Sequence, residues 1–288
     1  ADGAPLTVAL VQGSIPQDEK WQLAEREHTL ELYRRLIEQA FGARLIVLPE
    51  ASLPVLANNL EPYLGPLERD AQAHGSTLIV GLVRYEPETD RLYNSLFALG
   101  KPRSYYDKRR LVPFGEFFPV PAAVREWLRL MSLPYVDMTP GAEEQPLLEA
   151  ADTKIAATIC YEDAWGSLGL STLGDAGLMV NVTNDAWFGD STASHQHLEI
   201  ARMRSLEAGR YQIRVANDGI TAIIDPRGAV SARVPRFKST VLRGTVVPHA
   251  GLTPYARVGN WPVVLLCIMM LLLAVVVPLL PSRRAGQD

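Results

Sequence analysis

The sequence predicts an α/β fold followed by a membrane-spanning helix at the carboxyl end. Two observations support this prediction. Short apolar runs alternate with helical patterns along most of the chain, which is typical of sheets covered by helices. A long uncharged apolar segment then precedes the last few residues. The 288 residues can bury a full core, either as one large α/β domain or as two domains.

Nine short runs rich in Val, Ile and Leu are predicted to be buried strands, because each is short, apolar and bounded by turn residues. They are residues 6–12, 45–48, 77–83, 95–99, 154–159, 178–182, 211–216, 220–224 and 241–247. The chain becomes rich in strands after Gln212, and the sequence Asp-Pro-Arg-Gly at 225–228 predicts a hairpin-like turn.

Helical patterns lie between these runs. The first predicted helix places five apolar side chains on one face: Leu23, Leu30, Tyr33, Ile37 and Phe41. The last such pattern contains Leu198, Ala201, Met203 and Leu206. Two further apolar segments, 51–64 and 114–133, fit neither a strand nor a helix. They are interpreted either as loops packed on the core or as mobile lids that touch lipid.

The carboxyl-terminal segment from 259 to 282 predicts a transmembrane helix, because about 20 apolar residues are needed to cross the hydrocarbon core. The alternative is a buried core helix, but no polar face interrupts the run. Arg283 and Arg284 follow the segment, whereas Arg257 is alone before it, which favours a cytoplasmic tail and an exported main domain. Since the first residues lack an export signal, we expect further membrane segments upstream.

Composition and spacing exclude several classes of function. The net charge of −4 and the lack of basic runs give no footprint for nucleic acid. Two cysteines are too few for a disulfide framework. His195 and His197 are two residues apart and would face different ways on a helix, so no metal site is predicted. No glycine-rich phosphate loop occurs, and no cofactor is expected.

Three polar residues follow predicted strands, where open α/β sheets place their chemistry. Cys160 ends the run at 154–159, Glu50 follows the run at 45–48, and Lys108 follows another strand. Taken alone, Cys160 could be a small buried hydrophobe, Glu50 a surface carboxylate and Lys108 part of a solvated charge cluster. The carboxylates directly after Cys160 instead favour the ionisable surroundings of a nucleophilic thiolate.

Together these segments resemble a known family. The motifs LPE, YYDKRRLVPFGE and ICYED, with 58 residues from Glu50 to Lys108 and 52 from Lys108 to Cys160, are similar to those of the nitrilase superfamily, whose members use a Glu–Lys–Cys triad. The segments NDAWFG and ARMRSLE and the apolar carboxyl end make the chain similar to the apolipoprotein N-acyltransferase family. The resemblance covers roughly residues 6 to 247.

The resemblance implies an α-β-β-α sandwich and four segments. Residues 1–247 would form a nitrilase-like catalytic domain, 248–258 a linker, 259–282 the transmembrane helix and 283–288 a cytoplasmic tail. Cys160 would attack an acyl donor to form a thioester, with Glu50 as general base and Lys108 stabilising the oxyanion. Glu116 would orient Lys108.

Four further positions match residues of the family near the substrate. The backbone N–H of Tyr161 would help to stabilise the oxyanion, and Glu162, Trp21 and Trp187 would lie in the substrate-binding part of the site. The acyl donor would be a phospholipid, and the acceptor a diacylglyceryl-modified apolipoprotein. The catalytic domain is expected on the periplasmic face of a bacterial inner membrane, as a monomer.

Two other functions use the same sequence features. A membrane-tethered amidase or nitrile hydrolase would use the same triad with water as the acceptor. An inactive relative acting as a scaffold would have no reason to keep Glu50, Lys108 and Cys160 together.

Overall fold

Two six-stranded sheets pack face to face. The structure is a computed structural model that describes residues 3–120, 124, 137–171 and 173–276. In the first sheet the spatial order is 12-1-2-3-4-5, and in the second it is 11-10-9-8-7-6, with strands numbered along the chain. The first sheet contains β1 (Leu6–Gln12), β2 (Leu45–Val47), β3 (Thr77–Glu86), β4 (Arg91–Leu99), β5 (Ser104–Asp107) and β12 (Thr240–Val246). The second contains β6 (Leu148–Ala150), β7 (Thr153–Ile159), β8 (Leu178–Thr183), β9 (Gln212–Ala216), β10 (Ala222–Ile224) and β11 (Val230–Arg233).

Both sheets have three parallel strands at the centre. These are β1, β2 and β3 in one sheet and β7, β8 and β9 in the other, and the flanking strands are antiparallel. Since β5 is antiparallel to β4, and β4 to β3, β5 runs in the direction of the parallel strands. The residues after β2, β3 and β5 therefore follow the strands at the same end of the first sheet. Those after β7, β8 and β9 likewise lie at one end of the second sheet.

Helices cover the outer faces of both sheets. The helices are α1 (Arg26–Ala40), α2 (Glu61–Ala73), α3 (Gly166–Ser171), α4 (Ala193–Ala208), α5 (Pro254–Val258) and α6 (Trp261–Val276). Buried side chains of α1 and α2 form one core with the outer face of the first sheet, and Leu198 and Ala201 of α4 form another with β10. A central core joins the inner faces of the two sheets. This layering confirms the predicted α/β sandwich.

Strand β1 shows how the pattern of the sequence produces these layers. Leu6, Val8 and Leu10 belong to the core between the sheets, whereas Ala9 and Val11 belong to the core beneath α1 and α2. Successive side chains of a strand point to opposite faces, and both faces here are buried. A nearly continuous apolar run is the result.

Most predicted elements are present, with some differences in position. All nine predicted runs contain a strand, and the turn at 225–228 joins β10 to β11, with a hydrogen bond from Gly228 N to Asp225 O of 2.9 Å. The prediction for Leu23 is wrong, because this residue precedes α1 and is exposed. Met203 and Leu206 lie within α4 as predicted, but both are half exposed.

The two unassigned apolar segments have different outcomes. Within 51–64, Leu53, Leu60 and Leu64 are buried in the core beneath α1 and α2, as the packed interpretation predicts, but residues 61–64 begin helix α2 and are not a loop. Phe114, in the second segment, is exposed and makes an edge-to-face contact with Phe118 at 5.9 Å between ring centroids. Most of the rest of that segment, including Trp127, lies outside the described residues.

The carboxyl-terminal region of the described chain is helical. Residues 254–258 of the predicted linker form α5, which begins with Thr253 accepting a hydrogen bond from Ala256 N at 3.0 Å. Helix α6 follows and has 16 residues. Among the residues that the structure describes, no helix combines the length and the apolar character needed to cross a bilayer. The predicted span extends past α6 to 282, and residues 277–288 lie outside the described part.

Candidate active site

The structure brings the three predicted catalytic residues together. Glu50 and Lys108 come from the first sheet, and Cys160 comes from the second, directly after β7. Lys108 Nζ lies 3.2 Å from Glu50 Oε1, and Cys160 is near enough to both that their charges shift the pKa of its thiol. The cluster therefore lies where the two sheets meet, and it needs both of them.

Glu50 lies in a turn that packs against β3, and both oxygens of its carboxylate accept hydrogen bonds. Its Oε1 accepts a hydrogen bond from Asn94 Nδ2 at 2.7 Å, and its Oε2 accepts one from the backbone N–H of Asn184 at 2.9 Å. The turn packs so closely on β3 that a Cβ at Gly81 would lie 2.3 Å from the Pro49 carbonyl oxygen. The carboxylate is buried and has a fixed orientation, as a general base requires.

Lys108 is held between two carboxylates. Its side chain is 1% exposed, and Nζ lies 2.8 Å from Glu116 Oε1. Glu116 is fixed in turn, because its Oε2 accepts a hydrogen bond from Val112 N at 2.8 Å. Burial opposes the charge of Lys108, but the carboxylates of Glu50 and Glu116 outweigh burial and raise the pKa of Lys108 above its ordinary value. Lys108 is therefore a permanent cation in the site.

Cys160 is held as a protonated thiol. It opens a single helical turn, Cys160–Ala164, and its φ of 51° is in the left-handed region. Burial and the charge of Glu50 raise the pKa of Cys160 to about 12, although Lys108 and a hydrogen bond from Thr183 oppose this rise. Since the thiol does not ionise by itself near neutral pH, a base must remove its proton when it reacts. Glu50 is placed to do so.

Glu162 joins the Cys160 turn to the segment that contains Lys108. It is completely buried, and Oε1 accepts hydrogen bonds from Arg109 N at 2.6 Å and Arg110 N at 3.1 Å. Oε2 accepts one from Ile159 N at 2.7 Å, and both oxygens lie 2.9 Å from the Tyr106 hydroxyl. The carboxylate therefore links β7 of one sheet to the residues after β5 of the other.

Comparison with known proteins agrees with this geometry. A family model described as carbon-nitrogen hydrolase matches residues 7–254. The chain belongs to the carbon-nitrogen hydrolase family. Solved structures with the same fold include a CN-hydrolase superfamily protein from Xanthomonas campestris, with a TM-score of 0.61 and 20% identity over 84% of this chain and 91% of that one. A nitrilase-superfamily member from Saccharomyces cerevisiae has a TM-score of 0.61 and 17% identity over 85% of this chain and 90% of that one.

Relatives with higher identity carry a more specific name. The apolipoprotein N-acyltransferase of Methylococcus capsulatus is 45% identical over 92% of this chain and 53% of its own length. That of Chromobacterium violaceum is 42% identical over 99% of this chain and 55% of its own length. The resemblance read from the motifs is thus confirmed. The chain spans about half the length of the curated relatives it matches.

The predicted aromatic residues of this carbon-nitrogen hydrolase domain lie on its surface. The side chains of Trp21, Tyr161 and Trp187 are all exposed, and the Tyr161 ring contacts Trp165 edge to face with 6.2 Å between centroids. Each follows a polar residue of the site within two positions along the chain: Lys20 and Asp185, which are buried, or Cys160, which is partly buried.

Sequence reasoning missed Lys20. This side chain is 1% exposed, and its Nζ donates a hydrogen bond to the Glu50 carbonyl oxygen at 3.1 Å. Burial lowers the pKa of Lys20 to about 8, although the charges of Glu50 and Cys160 oppose this shift. Lys20 lies in a turn between β1 and α1, where no periodic pattern shows which side chains are buried.

Asn94 also belongs to the site, and sequence reasoning missed it. A polar Asn in the middle of the apolar run of β4 is a signal that sequence analysis could have used, and Asn94 Nδ2 contacts both Glu50 and Glu116.

The two histidines of α4 do not converge on one site. His195 is exposed, whereas His197 contacts Asp185 and Cys160. In the described ranges, no group of three or more His, Cys, Asp or Glu side chains could hold a metal ion.

Proposed function

We propose that this chain carries the catalytic domain of an apolipoprotein N-acyltransferase. It transfers a fatty acyl chain from a phospholipid, through a thioester on Cys160, to the α-amine of the N-terminal S-diacylglyceryl-cysteine of an apolipoprotein. The observation that carries the proposal is the cluster of the buried Glu50 and Lys108 with the partly buried Cys160. Its support comes from relatives of that name, 45% and 42% identical over more than nine-tenths of this chain.

In the first half of the reaction, Glu50 takes the proton of the Cys160 thiol, and the sulfur attacks the ester carbonyl of the phospholipid. The carbonyl oxygen becomes an oxyanion, which the ammonium of Lys108 and the N–H of Tyr161 stabilise. When the intermediate collapses, the C–O bond breaks, and the leaving oxygen takes the proton from Glu50. The products are a lysophospholipid and a thioester on Cys160.

In the second half, the α-amine of the lipoprotein attacks the thioester carbonyl. Glu50 removes the proton that the nitrogen loses, the same donors stabilise the second oxyanion, and the C–S bond breaks. The Cys160 sulfur leaves and regains a proton from Glu50, which restores the resting thiol. The product is an amide, so that one acyl chain has moved from oxygen to nitrogen.

The remaining predicted residues, together with Asn94, have supporting roles in this proposal. Glu116 and Asn94 hold Lys108 and Glu50 in register. Glu162, whose carboxylate is fully occupied, fixes the Cys160 turn rather than contacting substrate. The exposed rings of Trp21 and Trp187 contact the lipid chains.

We also propose that segment 259–282 spans a bilayer, with the tail at 283–288 in the cytoplasm. The catalytic domain would then lie on the periplasmic face of the inner membrane and work as a monomer. Residues 258–282 contain no charged residue, and the side chains of α6 are exposed apolar groups that gain from contact with lipid. Both proposed substrates are lipids, which a domain held at the membrane surface would meet directly.

A hydrolase with water as acceptor would use the same three residues. The names of the relatives favour the transferase, and the triad itself does not distinguish the two reactions. An experiment that distinguishes the two must therefore show whether water or an amine accepts the acyl group.

Intact-protein mass spectrometry after incubation with phosphatidylethanolamine vesicles tests both halves of the reaction. We expect Cys160 to gain the mass of one acyl chain, labile to hydroxylamine and absent in Cys160→Ala. A diacylglyceryl-cysteine peptide should then remove the adduct and become N-acylated. Release of free fatty acid with no acylated peptide would indicate the hydrolase. No adduct and no lipid turnover would contradict both.

A further inference from the structure

His197 contacts the main chain of Cys160, the proposed nucleophile. It lies on α4, with its side chain 11% exposed. Its Nδ1 lies 3.0 Å from Asp185 Oδ1, and its Nε2 lies 3.1 Å from the carbonyl oxygen of Cys160. The proposed reaction does not use this side chain, and no aspect of the triad requires it.

Both partners of the His197 ring are hydrogen-bond acceptors. A carbonyl oxygen only accepts, and Asp185 is an ionised carboxylate whose Oδ2 accepts a hydrogen bond from Arg214 Nη2 at 2.9 Å. Burial opposes ionisation of Asp185, but Arg214, His197 and Thr183 outweigh it and hold the pKa of Asp185 well below its usual range. A neutral imidazole has one N–H, so two hydrogen bonds to acceptors require both ring nitrogens to be protonated.

The charges of the surrounding buried groups agree with a protonated ring. Asp185 after β8 contacts the ring, Arg214 from β9 contacts Asp185, and Asp163 from the Cys160 turn lies next to Arg214; all three are buried. Arg214 Nη1 lies 3.9 Å from Asp163 Oδ2. With a cationic His197, two carboxylates are balanced by two cations. A neutral His197 would leave an uncompensated negative charge in the interior, which is unfavourable.

The Cys160 carbonyl determines where the next N–H points. The peptide between Cys160 and Tyr161 is planar, and in a trans peptide the C=O and N–H point in opposite directions. Cys160 has a φ of 51°, a conformation that non-glycine residues adopt only when their surroundings impose it. A charged donor on the carbonyl therefore fixes the direction of the Tyr161 N–H, and it also polarises that N–H into a stronger donor.

We propose that His197, as an imidazolium held by Asp185, is a positioning residue that aims the Tyr161 N–H at the acyl oxygen during transfer. This inference rests on Cys160 being the nucleophile of the proposed function. It does not depend on which lipid supplies the acyl group or which amine receives it.

The protonation of the ring can be observed directly. NMR of the chain labelled with [¹⁵N]histidine, in detergent at pH 7, should show one ring with protons on both nitrogens, and His197→Gln should remove that signal. His195→Gln, which changes an exposed histidine two positions away on α4, is the matched control. A His197 ring with a single N–H would overturn the proposal.

The positioning role is tested by two reactions of the same thiol. In a Cys267→Ser background, where Cys160 is the remaining cysteine, p-nitrophenyl acetate acylates Cys160 through an oxyanion, whereas iodoacetamide alkylates it without one. We expect His197→Leu to slow acylation by roughly 100-fold, the effect of losing one oxyanion donor, with alkylation changed by less than about threefold. His197→Gln keeps a side-chain N–H for the Cys160 carbonyl and should recover most of the acylation rate.

The outcomes separate this inference from the proposed function. Equal losses in acylation and alkylation would indicate a structural role and overturn the proposal, as would no loss in either. A wild-type chain that reacts with p-nitrophenyl acetate but not with phospholipid would contradict the proposed function and leave the role of His197 intact. If the ester does not acylate the wild-type chain, the NMR experiment decides.

Discussion

Two buried lysines lie beside Glu50, and their surroundings shift their pKa values in opposite directions. Lys108 is between the carboxylates of Glu50 and Glu116, which keep it charged. Lys20 instead donates its hydrogen bond to the neutral carbonyl oxygen of Glu50, so burial dominates and lowers its pKa to about 8. Lys108 thus provides a permanent charge, whereas Lys20 is a cation that folding disfavours at neutral pH.

The substitution Lys20→Met should change how the free energy of unfolding depends on pH, compared with the wild type. Lys20 titrates near 10.5 in the unfolded chain and near 8 in the fold, so the unfolded state binds more protons between these values. Wild-type stability therefore rises with pH across that window, and below pH 8 the charged lysine costs on the order of 3 kcal/mol. We expect Lys20→Met to have its largest advantage over the wild type at pH 7, and the advantage to shrink towards pH 10.

Urea unfolding at pH 7, 8, 9 and 10 measures this difference. Lys154→Met, at an exposed position, reports the effect of removing one surface charge. A difference between Lys20→Met and wild type that stays constant with pH would contradict the prediction.

At the scale of elements, the direction of Glu50 depends on close packing of its turn against β3. Leu48 N donates a hydrogen bond to Ile79 O at 2.8 Å, and Ser52 N donates one to Gly81 O at 2.8 Å, so residues 48–52 follow β3 beyond the end of β2. Gly81 is required at this crossing, since a Cβ there would lie 2.8 Å from Glu50 Cα. Because Gly81 has no Cβ, the turn lies close enough to β3 for the Glu50 carboxylate to contact Lys108.

Gly81→Ala should displace this turn. Overpacking of this kind costs about 1–3 kcal/mol, and a shift of the carboxylate by 1 Å can reduce activity by roughly 100-fold. Gly100→Ala is the matched control, because a Cβ there meets its nearest atom at 3.6 Å. Thermal unfolding and the rate of Cys160 acylation by p-nitrophenyl acetate measure the two effects. An active Gly81→Ala variant with wild-type stability would show that the turn can adjust.

The sequence predicts the strands that are apolar on both faces, and it misses those that are not. Strand β5 (Ser-Tyr-Tyr-Asp) has one exposed residue, β11 (Val-Ser-Ala-Arg) has two, and β6 has only three residues. Pairings such as β1 with β12 join distant parts of the chain, and no local pattern records them.

The same distinction applies to the site. Glu50, Lys108 and Cys160 are predictable because each follows a strand and matches a motif. Lys20 and His197 act through contacts to main-chain oxygens of other segments. Such contacts depend on how the two sheets meet, which the sequence of one segment does not encode.

At the scale of the whole molecule, catalysis is linked to the packing of two similar sheets. Each has three parallel strands at its centre, and the proposed base Glu50 and cation Lys108 come from one while the proposed nucleophile Cys160 comes from the other. The Glu162 carboxylate joins them, since its partners include Ile159 N of β7 and Arg109 N after β5. Any change that separates the sheets is therefore expected to disable the site before the chain unfolds.

The proposed membrane span makes a prediction for the same scale. Met270 is near the middle of 259–282, and its side chain is exposed. A lysine at the centre of a spanning helix costs about 2.5–3.5 kcal/mol, so Met270→Lys should reduce the fraction of the chain that stays with vesicles after an alkaline carbonate wash. Met270→Leu, an apolar substitution of similar size, should behave as the wild type.

Acylation of Cys160 by p-nitrophenyl acetate should be unchanged in both variants, because Met270 is remote in sequence from the triad and its helix lies outside the two sheets. Equal retention of Met270→Lys and Met270→Leu would mean that the segment does not cross the bilayer, and the proposed position of the catalytic domain would then be wrong while its chemistry stood.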